Sequence, residues 1–131
     1  MNKNKPKIII VEDDPNLLDL YAYEFKNLGF DVIKAEDGMQ GLASTISEKP
    51  DLVILDVMLP KLDGISMLKE LRLTPGDVGR TPVIVLTALS DTSFANEAMR
   101  LGANEYFIKT DFMPNKMMSK IKKYLKKGSL P

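Results

Sequence analysis

The chain has 131 residues, 18 basic and 18 acidic side chains, and no His, Cys or Trp. Its 14.6 kDa scale to roughly 6,900 Å² of folded surface against about 21,000 Å² unfolded, enough burial for one core and too little for two. Without Cys there is no disulfide, thiolate zinc site or Cys nucleophile, and without His no Ser-His-Asp triad or imidazole-ligated metal. Chemistry is left to carboxylates, Lys, hydroxyls, Tyr and a hard cation.

Lys7 to Val11 is a β-branched run that reads as a buried strand. Asp14 and Pro15 supply an N-cap and a first-turn proline for a helix whose apolar stripe is Leu17, Leu18, Tyr21, Phe25 and Leu28, stopped by Gly29. Val32 to Ala35 predicts a second strand. A second helix follows from Gly38 to about Ser47, capped by Asp37. Leu52 to Leu55 is the third strand and ends on Asp56. The third helix runs from Ile65 to about Leu73, and residues 74–81 read as a loop. Val83 to Leu86 is the fourth strand, ending on Thr87. Residues 92–101 make the fourth helix, closed by Gly102. Glu105 to Ile108 is the fifth strand, ending on Lys109, and the last helix spans about Pro114 to Lys127.

Five strands alternating with five helices predict an α/β fold with a doubly wound parallel sheet, of flavodoxin-like order 2-1-3-4-5. Function in such a sheet sits at the carboxyl ends of the strands, where Glu12, Asp13, Asp56, Thr87 and Lys109 fall. Strands 1 and 3 are neighbours in that order, so three carboxylates converge. At about 6 Å and an effective dielectric near 20, each pair repels by roughly 3 kcal/mol. A proton, a Lys or a hard divalent cation must compensate, and oxygen-only ligation suits Mg²⁺. Each residue also has a local role open to it: Glu12 to Asp14 at a helix start, Thr87 as a capping hydroxyl, Lys109 in solvent, Tyr106 in packing. Their place in one row of strand ends singles them out.

The segments IIIVEDDP at 8–15, LVILDVMLPKLDG at 52–64, VIVLTA at 83–88 and GANEYFIK at 102–109 carry a resemblance. From Lys7 to about Lys127 the chain resembles the receiver domain of bacterial two-component response regulators. The resemblance implies Asp56 as phosphoacceptor and Glu12 and Asp13 as the acidic pair holding Mg²⁺, Asp13 directly and Glu12 through water. It adds the backbone carbonyl of Met58 as a ligand, Thr87 as the switch hydroxyl, Lys109 as the phosphoryl contact and Tyr106 as the rotating aromatic. The phosphoryl donor it implies is a phosphohistidine on a sensor histidine kinase or phosphotransfer protein. The output it implies is a changed face of helix 4, strand 5 and helix 5 that controls a downstream protein, with a homodimer left open. On this reading the protein is a phosphoacceptor and not a turnover enzyme.

Thr110 stands where this family usually has Pro after a cis bond, so either a costly non-proline cis bond is held there or the loop is rearranged. Met113 precedes Pro114 where Ser or Asp would cap better, with Asp111 available should the helix begin earlier. Residues 1–65 carry 12 acids and 7 bases, against 6 and 11 in residues 66–131. Part of the second half's surplus is the lysine face of the last helix (116, 120, 123, 127), read as solvated, with an acidic partner as the other reading. No reading helix or aromatic platform accompanies it, so no direct nucleic-acid contact is expected. No apolar run suits a signal or membrane segment, which makes cytoplasmic the default. The expected unit is one domain with its core at 7–127 and a tail or linker start at 128–131. The alternatives are a receiver from a longer transcriptional or enzymatic regulator, an aspartyl-phosphate phosphatase and a receiver-like module that never turns over. Met58 argues against the phosphatase, which would place a second Asp there.

Overall fold

The protein is described by a computed structural model covering residues 5–59, 61–87, 92–111 and 113–125, without the side chains of Thr87, Thr92 and Asp111. The strands are β1 (Lys7–Val11), β2 (Asp31–Ala35), β3 (Leu52–Asp56), β4 (Val83–Thr87) and β5 (Glu105–Ile108). The helices are α1 (Pro15–Asn27), α2 (Gly38–Glu48), α3 (Gly64–Leu73), α4 (Thr92–Arg100) and α5 (Pro114–Ile121). All strand pairs are parallel and the order is β2-β1-β3-β4-β5. The expected fold class and strand order therefore hold.

Strand alternation divides the core between the sheet's two faces. Ile8, Ile10, Ile54, Ile84 and Leu86 pack with Leu18, Tyr21 and Phe25 of α1 and Ile121 of α5. Ile9, Val11, Val53, Leu55, Val83 and Val85 pack with Met67, Leu68 and Leu71 of α3 and Ala98 of α4. The central strands are apolar on both faces because helices cover both, as continuous apolar runs require. Capping side chains fix where three helices start. Asp14 Oδ1 accepts from the Asn16 and Leu17 N–H groups at 3.0 and 3.3 Å, Asp37 Oδ1 from Gln40 at 2.8 Å, and Asp63 Oδ1 from Ser66 at 2.9 Å.

The departures lie in the connections. Asp77–Arg80 is a 3₁₀ turn inside the segment read as loop. It is held by Arg72, whose guanidinium donates to the carbonyls of Gly79, Thr81 and Gly102. No described peptide bond is cis. After β5 the chain instead turns through a 3₁₀ helix at Lys109–Asp111, so the rearranged loop is the alternative realised. Met113 occupies the α5 cap position without a side-chain hydrogen bond.

The last helix is shorter than its apolar spacing predicts. It ends at Ile121 and tightens into a 3₁₀ turn at Lys122–Tyr124; residues 126–131 lie outside the described residues. Tyr124 is tied back to the sheet, its hydroxyl 2.7 Å from Glu105 Oε2 and 3.2 Å from the Asn104 carbonyl. That tether accompanies the tighter winding.

Burial, reinforced by Glu105, pushes the Tyr124 phenol up to about 12 from an ordinary 10.0. A raised folded-state value means stability fully present below pH 10 and lost as pH rises through about 12. Tyr124→Phe is expected to cost about 1 kcal/mol at pH 7 and to remove that part of the alkaline loss. Urea unfolding of both proteins between pH 7 and 12 checks it.

Candidate functional site

The site forms where β1, β3 and β5 end. β1 and β3 pair directly, with Val11 opposite Leu55, so the next residue of each, Glu12 and Asp56, emerge side by side. Ligand oxygens of Glu12, Asp13 and Asp56 all lie within 4.8 Å of one another. Glu12 and Asp56 are buried, at 1 and 3 % exposure, whereas Asp13 faces solvent. The expected convergence of three carboxylates is thus present.

Lys109 reaches this cluster from the far end of β5. Its Nζ stands 2.7 Å from Glu12 Oε1 and donates to Asp56 Oδ2 at 2.9 Å. Thr110 in place of Pro therefore does not displace the lysine. Burial pulls the Lys109 ammonium down, but the two carboxylates outweigh it and hold the group well above the ordinary lysine range. Burial pushes the Glu12 carboxyl up, and the Lys109 ammonium and the Asp14 N–H only partly oppose the rise. Glu12 Oε1 makes no hydrogen bond of good geometry despite the nearby ammonium. The Met58 N–H donates to Asp56 Oδ1 at 3.1 Å, which leaves one oxygen of Asp56 on the backbone and the other on Lys109.

With all three carboxyl groups ionised, one ammonium leaves a deficit of two positive charges. The donors are all oxygens and two of the carboxylates are buried. This is the donor set of a hard divalent cation, and the residues present fit Mg²⁺.

Other expected site residues are placed differently. Thr87 ends β4 beside Ile108 of β5, but its side chain lies outside the described part. Tyr106 pairs through its backbone with Val85, and its side chain is 37 % exposed on the outer strand. Tyr21 is a residue that sequence reasoning assigned only to the apolar stripe of α1. It is buried at 5 % exposure, close enough to feel the charges of Lys109, Glu12 and Asp56, with burial the main cause of its raised phenol. The available signal was a Tyr at a helix position where Leu would pack as well. On the lysine face, Lys120 sits 5.4 Å over the Phe107 ring and Lys123 stands 3.9 Å from Glu105, while Lys127 lies outside the described residues.

A protein-family model described as the response regulator receiver domain matches residues 8–122. The chain is 38 % identical over 130 residues to the alkaline phosphatase synthesis transcriptional regulatory protein PhoP of Bacillus subtilis, covering 99 % of this chain and 51 % of that protein. It is 34 % identical to the DNA-binding dual master transcriptional regulator RpaA of Synechocystis, covering 93 % of this chain and 50 % of that one. The chain thus spans about half the length of the curated relatives it matches. Among solved structures it resembles the BeF3-activated N-terminal receiver domain of Klebsiella pneumoniae RstA, with 31 % identity, TM-score 0.80 and coverage of 92 % of this chain and 99 % of that one. It also resembles the receiver domain of a Pseudomonas aeruginosa sensor histidine kinase, solved with magnesium in its active-site cleft, at 28 % identity, TM-score 0.82 and coverage of 92 and 97 %.

Lys109→Met leaves Glu12 and Asp56 buried without their ammonium. It is expected to cost about 3 kcal/mol in urea unfolding with EDTA. Glu12→Gln added to that variant should restore part of the loss.

Proposed function

The chain belongs to the response regulator receiver family, and from that premise we propose that it is a signalling receiver phosphorylated on Asp56. The observation that carries the reading is the buried Asp56 carboxylate, flanked by Glu12 and Asp13 and bonded to Lys109. An aspartate oxygen attacks phosphorus in line, forming an acyl phosphate as the phosphorus–nitrogen bond of a phosphohistidine breaks. The donor imidazole is that of a sensor histidine kinase or phosphotransfer protein, and these 131 residues hold no His themselves.

Glu12, Asp13, Asp56 and the Met58 carbonyl would hold Mg²⁺. Mg²⁺, when bound, offsets negative charge on the phosphoryl oxygens. Lys109 would meet one of those oxygens, a role supported by its Nζ lying 2.9 Å from Asp56 Oδ2. The Met58 N–H fixes the other Asp56 oxygen, orienting the carboxylate. Thr87 serves as the switch hydroxyl and Tyr106 as the aromatic that moves with it. Together they bias the α4–β5–α5 face toward a downstream protein. Hydrolysis of the acyl phosphate resets the state, so the chain is consumed and regenerated as a switch rather than turning over a substrate. The unit acts in the cytoplasm, where such a donor resides; among the described residues no helix is long and apolar enough to cross a membrane.

One observation favours a second reading on scale. The relatives are about twice as long and are named for transcription or DNA binding. In that reading residues 7–125 are the receiver of a longer transcriptional regulator, and nucleic-acid contact belongs to the further segment. The chemistry at Asp56 is the same in both.

With acetyl phosphate and Mg²⁺, the protein is expected to gain one phosphoryl group by intact mass, and Asp56→Asn none. Undiminished incorporation in Asp56→Asn would remove the assignment.

A further inference from the structure

The connection from β3 to α3 carries the Met58 carbonyl, so its position decides how that oxygen meets a cation. At its far end this connection is held by Gly64. The Gly64 N–H donates to the Val57 carbonyl at 3.0 Å, and a Cβ there would overlap the Asp56 carbonyl oxygen. The stretch just before the α3 cap is also held from outside, by the start of α2. A Cβ on Gly38 would overlap the Leu62 carbonyl oxygen, so α2 presses its first residue directly against the connection. Beside it, Asp37 is buried at 4 % exposure and splits its carboxylate. Oδ1 caps α2 at Gln40, and Oδ2 stands 3.6 Å from Lys61 Nζ. Lys61 itself has φ 66°, a left-handed conformation uncommon outside glycine. Leu59 and Leu62, on either side of it, pack onto the α3 side of the core.

Capping α2 needs only one oxygen, and Asn or Ser would provide it. The cap therefore does not account for the second oxygen of this buried carboxyl group, which faces the largely exposed Lys61 ammonium. We infer that Asp37 and Gly38 are positioning residues for the Met58 carbonyl, and through it for Mg²⁺. The inference rests on the reading of the carboxylate site as one for Mg²⁺. The start of α2 meets the connection at Leu62 and Lys61, and the Met58 N–H ties its other end to Asp56 Oδ1 at 3.1 Å. Groups behind a metal's direct ligands commonly change affinity by tenfold or more when altered.

Mg²⁺ affinity by calorimetry, paired with urea unfolding in EDTA, separates positioning from plain stability. Gly38→Ala is expected to weaken Mg²⁺ binding about tenfold. Gly79→Ala is the control: a Cβ there would overlap the Thr74 carbonyl oxygen in the turn before β4, at the amino ends of the strands. It should lower stability while leaving Mg²⁺ affinity within about twofold. Asp37→Asn, which keeps the cap, and Lys61→Gln should each weaken binding roughly threefold, and the double variant no further. Folded Gly38→Ala and Asp37→Asn proteins that bind Mg²⁺ like wild type would overturn the inference. So would additive losses from Asp37→Asn and Lys61→Gln, and these two variants decide the matter if Gly38→Ala does not fold. A wild-type protein that binds no Mg²⁺ would instead remove the underlying reading, and the inference with it.

Discussion

Like charges forced together at the ends of two adjacent strands are the constraint on which this molecule turns. The pairing of β1 with β3 is set by apolar side chains that bury on both faces of the sheet. That same pairing delivers Glu12 and Asp56 into one buried crevice, with Asp13 at its rim. The core thus imposes an electrostatic cost, and the cost defines the chemistry. Lys109 answers part of it across β4, the strand that lies between β3 and β5. The deficit that remains matches the charge of a divalent cation.

The supporting loops make sense in the same terms. Lys109 must reach two carboxylates at once, and it does so from the first residue of the 3₁₀ turn at Lys109–Asp111. The connection after Asp56 is crowded at Gly38 and Gly64, where a Cβ would overlap the Leu62 and Asp56 carbonyl oxygens. At the opposite end of the sheet, Arg72 gathers the carbonyls of Gly79, Thr81 and Gly102. That end is held by neutral acceptors around one cation, and the working end by anions around another.

Much of this was legible in the residues. Short apolar runs located all five strands, and Asp14 and Asp37 marked helix starts to within a residue. Strand ends then located Glu12, Asp56 and Lys109, because parallel α/β topology collects the residues just past each strand on one edge. The features that stayed hidden depend on contacts distant in sequence. The end of α5 at Ile121 accompanies Tyr124 reaching Glu105, which spacing along the helix cannot reveal. Tyr21 looked apolar because its stripe is apolar, and only the fold brings its phenol near the pocket. The close approach of Gly38 to Leu62 joins segments more than twenty residues apart.

A divalent cation bound in the carboxylate crevice would relieve the repulsion there. Urea unfolding of the wild-type protein over a Mg²⁺ series, with Asp13→Asn beside it, tests that relation most directly. The unfolding free energy of wild type should rise as the logarithm of Mg²⁺ concentration above its dissociation constant, by about 1.4 kcal/mol per tenfold. Asp13→Asn should start its rise at higher Mg²⁺ and be no less stable in EDTA. A wild-type midpoint that stays flat across the series would contradict it.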